Sequence, residues 1–192
     1  MNTITKDEFS RSKHDYGKDI LDGAVFIHPT DTIYGIGCNA MSCDAVNKLR
    51  TIKQQKDRPL SVIAPSIEWI KDNCDSPNRI EMRRWLKKLP GPFTLILTLK
   101  NSNAVCSETN LGNGTLGVRI PDHWMSDIAA KLNIPLITTS ANIAGKDYMT
   151  GIDTLDKAIA SKVAFILYEG EKEDHASTII NLSGKEVEVR KR

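Results

Sequence analysis

The sequence predicts an α/β fold with a largely parallel or mixed sheet. Three observations carry that prediction. Short apolar runs of strand length alternate with stretches of helical spacing through most of the chain. Helix-capping residues stand where those stretches begin. The last two strand-like runs are separated by little more than "GK", which suggests an antiparallel hairpin. No internal repeat or low-complexity linker interrupts the pattern. One domain over residues 1–192 follows, with its core over about 14–190.

The elements read in order. "DYGKDILDG" has apolar residues at helical spacing and stops at Gly23, a C-terminal glycine. "AVFIHP" is a short buried strand. Ser42 or Asp44 caps a helix through "AVNKLRTIK". "LSVIA" is strand, and "SIEWIKDNC" is helix with Ser66 as its cap. "SPNRIEMRRWLKKL" is helical until Pro90, and "PFTLILTLK" is strand. "NSNAVCSETNLGNGT" is a turn-rich loop. "LGVRIP" is strand, "DHWMSDIAAKLN" helix, and "PLITTSA" strand. "TLDKAIASK" is helix, and "AFILYEG", "STIINLS" and "EVEVRK" are the closing strands.

Bulk properties exclude several classes. Of 192 residues, 40% are hydrophobic and 26% charged, the balance of a chain that builds a core rather than staying disordered. The formal net charge of +2 does not by itself argue for nucleic acid. No apolar run approaches the roughly 18 residues that span a bilayer, and the N-terminus lacks a signal-peptide centre. Cytoplasmic residence and no membrane partner are the expectation. Cys38, Cys43, Cys74 and Cys106 form no CxxC pair, and no histidine stands at a zinc-like offset. Reduced structural thiols are expected, with no metal held by side chains.

"HPTDTIYGIGCNA", residues 28–40, concentrates polar and glycine character after a strand. Its Gly35 to Ala40 match G-x-G-x-x-G/A, but the glycines do not directly follow the strand and open a helix, so the dinucleotide reading fails. Gly37 instead marks a position of positive φ or close approach. A P-loop is absent, as is G-x-S-x-G. Lys48, Arg50, Lys53, Lys56 and Arg58 form a basic cluster that is either a solvated helix face or a site. It runs past the helix end to "DRPL", where Pro59 restrains the backbone. In "TTSANIAG", from Thr138, hydroxyls and an amide follow an apolar strand. They suit a pocket for phosphate and hydroxyl oxygens beyond strand ends, or merely a stabilised turn. Arg119 lies inside an apolar strand pattern and so needs an anion, either a structural carboxylate or a substrate group. "LPGPFTLIL" is a turn into a strand, with Thr94 facing a ligand or pairing in the sheet.

Six segments, "PTDTIYGIGCNA", the stretch 53–60, "PGPFTLIL", "LGVRIPDH", "TTSANIAG" and "STIINL", occur in an order that resembles the YrdC/Sua5 family, the threonylcarbamoyl-AMP synthases. The resemblance covers roughly residues 20–190. It implies a twisted mixed sheet around a concave, basic cavity. It implies a nucleotidyltransferase that makes threonylcarbamoyl-AMP and pyrophosphate from L-threonine, bicarbonate or CO2, and ATP with Mg2+ on the phosphates. The product would pass to a separate tRNA threonylcarbamoyl transferase for modification of adenosine 37. By matching position, Thr32, Arg119, Thr139 and Ser177 would hold threonine. Lys53, Arg58, Ser140 and Asn142 would be catalytic. ATP would meet Lys53, Gln55, Arg58, Thr115, Ser140, Ala141, Asn142 and Arg190, with Ala141 acting through its backbone. The glycines of the first segment would turn the chain tightly at the cavity floor.

Two departures bear on activity. Gln55 stands where the family's K-x-R element has arginine, unless a one-residue shift lets Lys56 and Arg58 supply the pair. Ile63 replaces a histidine found in many members. Glutamine cannot replace a permanent charge on phosphate, so a YciO-like paralogue is one alternative. Another is a module binding tRNA or double-stranded RNA, which would weaken steeply with salt. The near-neutral charge and the lack of aromatics within the basic cluster favour the enzyme.

Overall fold

The structure, a computed structural model, describes residues 2–172 and 175–191. Its strands are Thr3–Ile4 (β1), Phe26–His28 (β2), Gly35–Gly37 (β3), Ser61–Ile63 (β4), Cys74–Asp75 (β5), Phe93–Leu99 (β6), Thr115–Arg119 (β7), Leu136–Ser140 (β8), Ile166–Leu167 (β9), Thr178–Asn181 (β10) and Glu188–Arg190 (β11). The α-helices are Lys6–Arg11 (α1), Tyr16–Leu21 (α2), Cys43–Lys53 (α3), Ile67–Asn73 (α4), Arg79–Leu86 (α5), Ser107–Asn110 (α6), Met125–Leu132 (α7) and Lys157–Ala160 (α8).

Among the described residues the strands form one mixed sheet in the order β1-β9-β2-β3-β8-β4-β7-β6-β10-β11, with β5 beside β6. β1, β9 and β2 run parallel, as do β4 with β7 and β6 with β10. The other pairs are antiparallel, including the expected hairpin of β10 and β11. The sheet begins at Thr3, ahead of the predicted core. Thr5 and Glu8 form a capping box at α1 that their T-x-x-E spacing signals.

Local chemistry explains the helix ends. The Ser42 hydroxyl caps α3 and the Ser66 hydroxyl caps α4, each accepting a backbone N–H three residues on. Gln54 closes α3 in the left-handed region at φ 53°. α5 stops at Leu86 rather than reaching Pro90, because the chain tightens into a turn before the cis Leu89–Pro90 bond. The segment read as a loop at 101–115 contains a 3-10 turn and α6.

One face of the central strands carries Val62, Leu95, Val118 and Ile137, all fully buried in the main core with Val46 and Leu49 of α3. Complete burial of such side chains contributes roughly 1.5–3 kcal/mol each. A second cluster lies among α2, α7 and the strands Phe26 and Ile63 belong to. Small and polar residues occupy the remaining part of that second face.

The prediction of four reduced thiols is corrected for two of them. Cys43 and Cys106 form a disulfide with Cα atoms 5.3 Å apart. The reason is tertiary: the Cys106 N–H donates to the Ala40 carbonyl at 2.8 Å, which brings the segment before α6 against the start of α3. Cys38 and Cys74 remain free and buried.

Candidate active site

Register builds the site. Gly35 pairs with Ser140, Ser61 with both Thr138 and Gly117, and the period of two carries the same face on to Arg119. This row of small residues leaves a hollow. A Cβ on Gly117 would sit 3.1 Å from Ser61 Cβ. The cavity, about 190 Å³, is lined by Thr30, Tyr34 and Gly35 on one side and by Gln55, Arg58 and Pro59 on another. Ser61, Thr94, Arg119, Thr138, Thr139, Ser140 and Ser177 complete most of it. It therefore spreads over the face of the sheet. The expectation of a pocket beyond strand ends is corrected: glycine, serine and threonine on adjacent strands leave the face itself open.

For the glycines, the expectation of a tight turn is corrected, and of the two alternatives at Gly37 close approach holds rather than positive φ. Gly35 and Gly37 are extended residues of β3, not tight turns. They are glycines because His28 packs beneath them. A Cβ on Gly35 would meet His28 Cε1 at 2.7 Å, and one on Gly37 would meet the Ile137 carbonyl at 2.5 Å. His28 is fully buried, and burial lowers its pKa to about 4, so the ring under the floor is neutral.

Lys53 and the S-x-N pair meet, 87 and 89 residues apart in sequence. Lys53 Nζ donates to the Asn142 carbonyl at 2.9 Å, to Asn142 Oδ1 at 3.1 Å and to the Ser140 carbonyl. The Ser140 hydroxyl donates to Asn142 Oδ1 at 2.7 Å. Lys53 is 1% exposed, and burial lowers its pKa to about 8. Among the described residues it forms no ion pair. Its charge is met only by dipoles.

Arg119 has a resident anion. Its Nη2 donates to Asp31, in a pair buried on both sides, and Nη1 lies 3.4 Å from the Thr32 hydroxyl oxygen. Asp31 also accepts the Asp122 N–H at 3.0 Å. Of the two anions the sequence allowed, the structural carboxylate is present. Asp31 itself was not singled out; the need of a buried Arg119 for an anion was its signal. Thr32 is buried against Thr30, 3.0 Å between hydroxyl oxygens, and borders an adjoining hollow lined by Asp31, Lys88 and Phe93. Ser177 meets Thr94 hydroxyl to hydroxyl at 2.7 Å in the cavity wall.

The remaining predicted residues divide. Gln55 and Arg58 line the cavity, and Arg58 makes no ion pair among the described residues. Ala141 is buried, with its N–H donating to the Tyr34 carbonyl and its own carbonyl accepting from Met149. Thr115 turns its hydroxyl to Asn113, and Arg190 is exposed on β11; neither lines the cavity. Within the basic cluster, Lys48 and Lys56 are exposed, whereas Arg50 is 6% exposed and bound to backbone carbonyls. Ser61 was missed, since nothing in "LSVIA" distinguishes a serine facing a cavity from one facing solvent. Tyr34 forms part of the cavity wall. Its hydroxyl donates to the Gly170 carbonyl at 2.6 Å, and burial pushes its pKa up to about 12.

The fold and cavity define an α/β protein with a mixed sheet whose open face is rich in hydroxyls and carries arginine at two edges. A family model described as "Telomere recombination", that of the Sua5, YciO and YrdC proteins, matches residues 18–192, and the chain belongs to this family. A relative from Methanocaldococcus jannaschii, named "Putative threonylcarbamoyl-AMP synthase", is 36% identical over 173 residues, covering 88% of this chain and 80% of its own. P. abyssi Sua5 complexed with L-threonine superposes with a TM-score of 0.84 at 25% identity over 98% of this chain. The match spans 56% of that longer protein. E. coli YciO superposes with a TM-score of 0.82 over 100% of this chain and 94% of its own, at 18% identity, a likeness of fold.

Proposed function

We propose that the chain is an L-threonylcarbamoyladenylate synthase acting in the cytoplasm in the service of tRNA modification. The observation that carries the reading is Lys53: a buried ammonium with no carboxylate partner among the described residues, tied to Asn142 and to Ser140, which lines a cavity that also receives Arg58. A cation left to dipoles is suited to an anionic ligand.

The unprotonated amine of threonine captures CO2 as a carbamate. A carbamate oxygen attacks the α-phosphorus of ATP, and pyrophosphate leaves. Neither step needs a protein nucleophile, so positioning and charge stabilisation supply the catalysis. Arg58 holds phosphate oxygens, while Lys53, whose three N–H groups are donated to Ser140 and Asn142, supplies positive charge from behind the cavity wall and fixes those two residues. Arg119 and Thr32 hold the threonine end. Because Asp31 already neutralises Arg119, the substrate carboxylate meets a fixed ion pair rather than a free cation. The described cavity lining carries no carboxylate, so the residues present fit Mg2+ held by the phosphates. When bound, the ion neutralises phosphate charge. The adenylate product would go to a separate tRNA transferase.

A YciO-like activity is the second reading, favoured by the neutral Gln55 in the cavity wall. The test is pyrophosphate release from ATP, bicarbonate and Mg2+ with and without L-threonine. Strong threonine dependence supports the synthase; release at the same rate without threonine contradicts it.

A further inference from the structure

We infer that Arg50 is a positioning residue that holds Arg58 in the cavity, through a brace whose far end is fixed covalently by the Cys43–Cys106 disulfide. Arg50 sits on the last turns of α3, but its guanidinium turns inward. Nε and Nη2 donate to the Glu108 carbonyl at 2.9 and 2.6 Å, and Nη2 reaches the Thr109 carbonyl at 3.5 Å. Nη1 donates to the Gln55 carbonyl at 3.3 Å and to the Arg58 carbonyl at 3.0 Å. One rigid planar fork thus joins two segments. One is α6. The other is the loop after α3 that carries both Gln55 and Arg58 to the cavity.

Besides the fork, the Leu60 N–H donates to the Thr109 carbonyl at 2.8 Å between the two segments, and the Gln55 N–H donates back to the Arg50 carbonyl of α3 at 3.1 Å. Arg58 itself is exposed and makes no ion pair among the described residues. Its backbone is therefore placed from behind by Arg50. The α6 side is tied down by Cys106, whose sulfur is bonded to the first residue of α3 and whose N–H donates to the Ala40 carbonyl. Burying a guanidinium among carbonyls is costly unless its donors are met, and here the met donors all serve this junction. A solvated charge on a helix face would show none of this.

The test uses Arg50→Lys in the full chain, because a lysine keeps the charge and loses the fork. Hydrogen exchange of the whole protein is read by mass spectrometry, together with KM for ATP and for L-threonine; the kinetic half rests on the synthase reading, and the exchange half does not. The expected result is faster exchange confined to the peptide containing Gln55 to Leu60. With it, KM for ATP rises roughly tenfold or more, the factor for one lost charge-assisted contact, and KM for threonine shifts by less than about twofold. Faster exchange in a protein without synthase activity upholds the brace and overturns only the proposed reaction. Unchanged exchange at 55–60 in a folded variant, or equal rises in both KM values, overturns the brace. If Arg50→Lys does not fold, wild-type protein treated with dithiothreitol decides. Two successive thiol–disulfide exchanges reduce the Cys43–Cys106 bond to two thiols while dithiothreitol closes to its cyclic disulfide. The same local loosening is expected, and its absence overturns the brace.

Discussion

Lys53 and Asn142 are joined by two hydrogen bonds from one ammonium, 2.9 Å to the backbone carbonyl and 3.1 Å to the side-chain oxygen. The lysine comes from the end of α3 and the asparagine from just beyond β8. Their junction binds the cavity's edge together, and it leaves a buried positive charge without a negative partner.

Lys53→Met is expected to separate function from stability. Loss of the charge should lower kcat/KM by roughly 10²-fold or more. Stability should change far less, since loss of a buried charge is opposed by the Ser140 and Asn142 oxygens left without their donor. Pyrophosphate assays and thermal melts of the two proteins check both halves.

The same lysine predicts a pH dependence. Burial lowers its pKa from 10.5 to about 8. The charged form binds anions, so affinity for ATP should fall as pH rises through about 8, and Lys53→Met should lack that fall. For folding the sign is opposite. The unfolded state binds the extra proton between about 8 and 10.5, so the lysine's penalty is full below 8 and is relieved as pH rises. Calorimetric titration across that range reads the binding limb.

Asp31→Ala should destabilise by about 3–5 kcal/mol, because it strands the Arg119 guanidinium in the interior. Replacing both, Asp31→Leu with Arg119→Met, should restore much of that loss. Urea denaturation of the single and double variants measures it. A double variant as unstable as the single one would show that the pair's hydrogen bonds, rather than its unpaired charge, dominate.

Gly37→Ala should cost more than Gly35→Ala. The new methyl at Gly37 meets the Ile137 backbone carbonyl, which cannot move without distorting the pairing of β8, while the one at Gly35 meets the His28 ring. Overpacking of this kind costs about 1–3 kcal/mol. His28 adds an acid limb: its pKa falls from 6.5 to about 4 on folding, so roughly 3 kcal/mol of stability is lost as pH drops from 6.5 toward 4. His28→Gln should flatten that limb in melts taken across the same range.

Much of the framework is legible in local signals. Ser42 and Ser66 cap the helices they precede, Gly23 follows α2 with φ 95°, and the hairpin of β10 and β11 lies where two strand-like runs nearly touch. The buried charge at Arg119 was readable as a demand, but Asp31, 88 residues away, was not readable as the supplier. The Cys43–Cys106 bond spans 63 residues and follows no spacing rule. β3, only three residues reading Gly-Ile-Gly, lacks any alternation that marks a strand, and its glycines answer to the histidine on the neighbouring strand. Arg50 looks in sequence like its exposed neighbour Lys48. Only the meeting of α3 with α6 turns it inward.

The most direct measurement is chromatography with mass spectrometry of the purified chain incubated with ATP, Mg2+, labelled bicarbonate and L-threonine. The proposed chemistry predicts a labelled adenylate that contains threonine and one equivalent of pyrophosphate. ATP left intact, or cleaved without the label entering an adenylate, would contradict it.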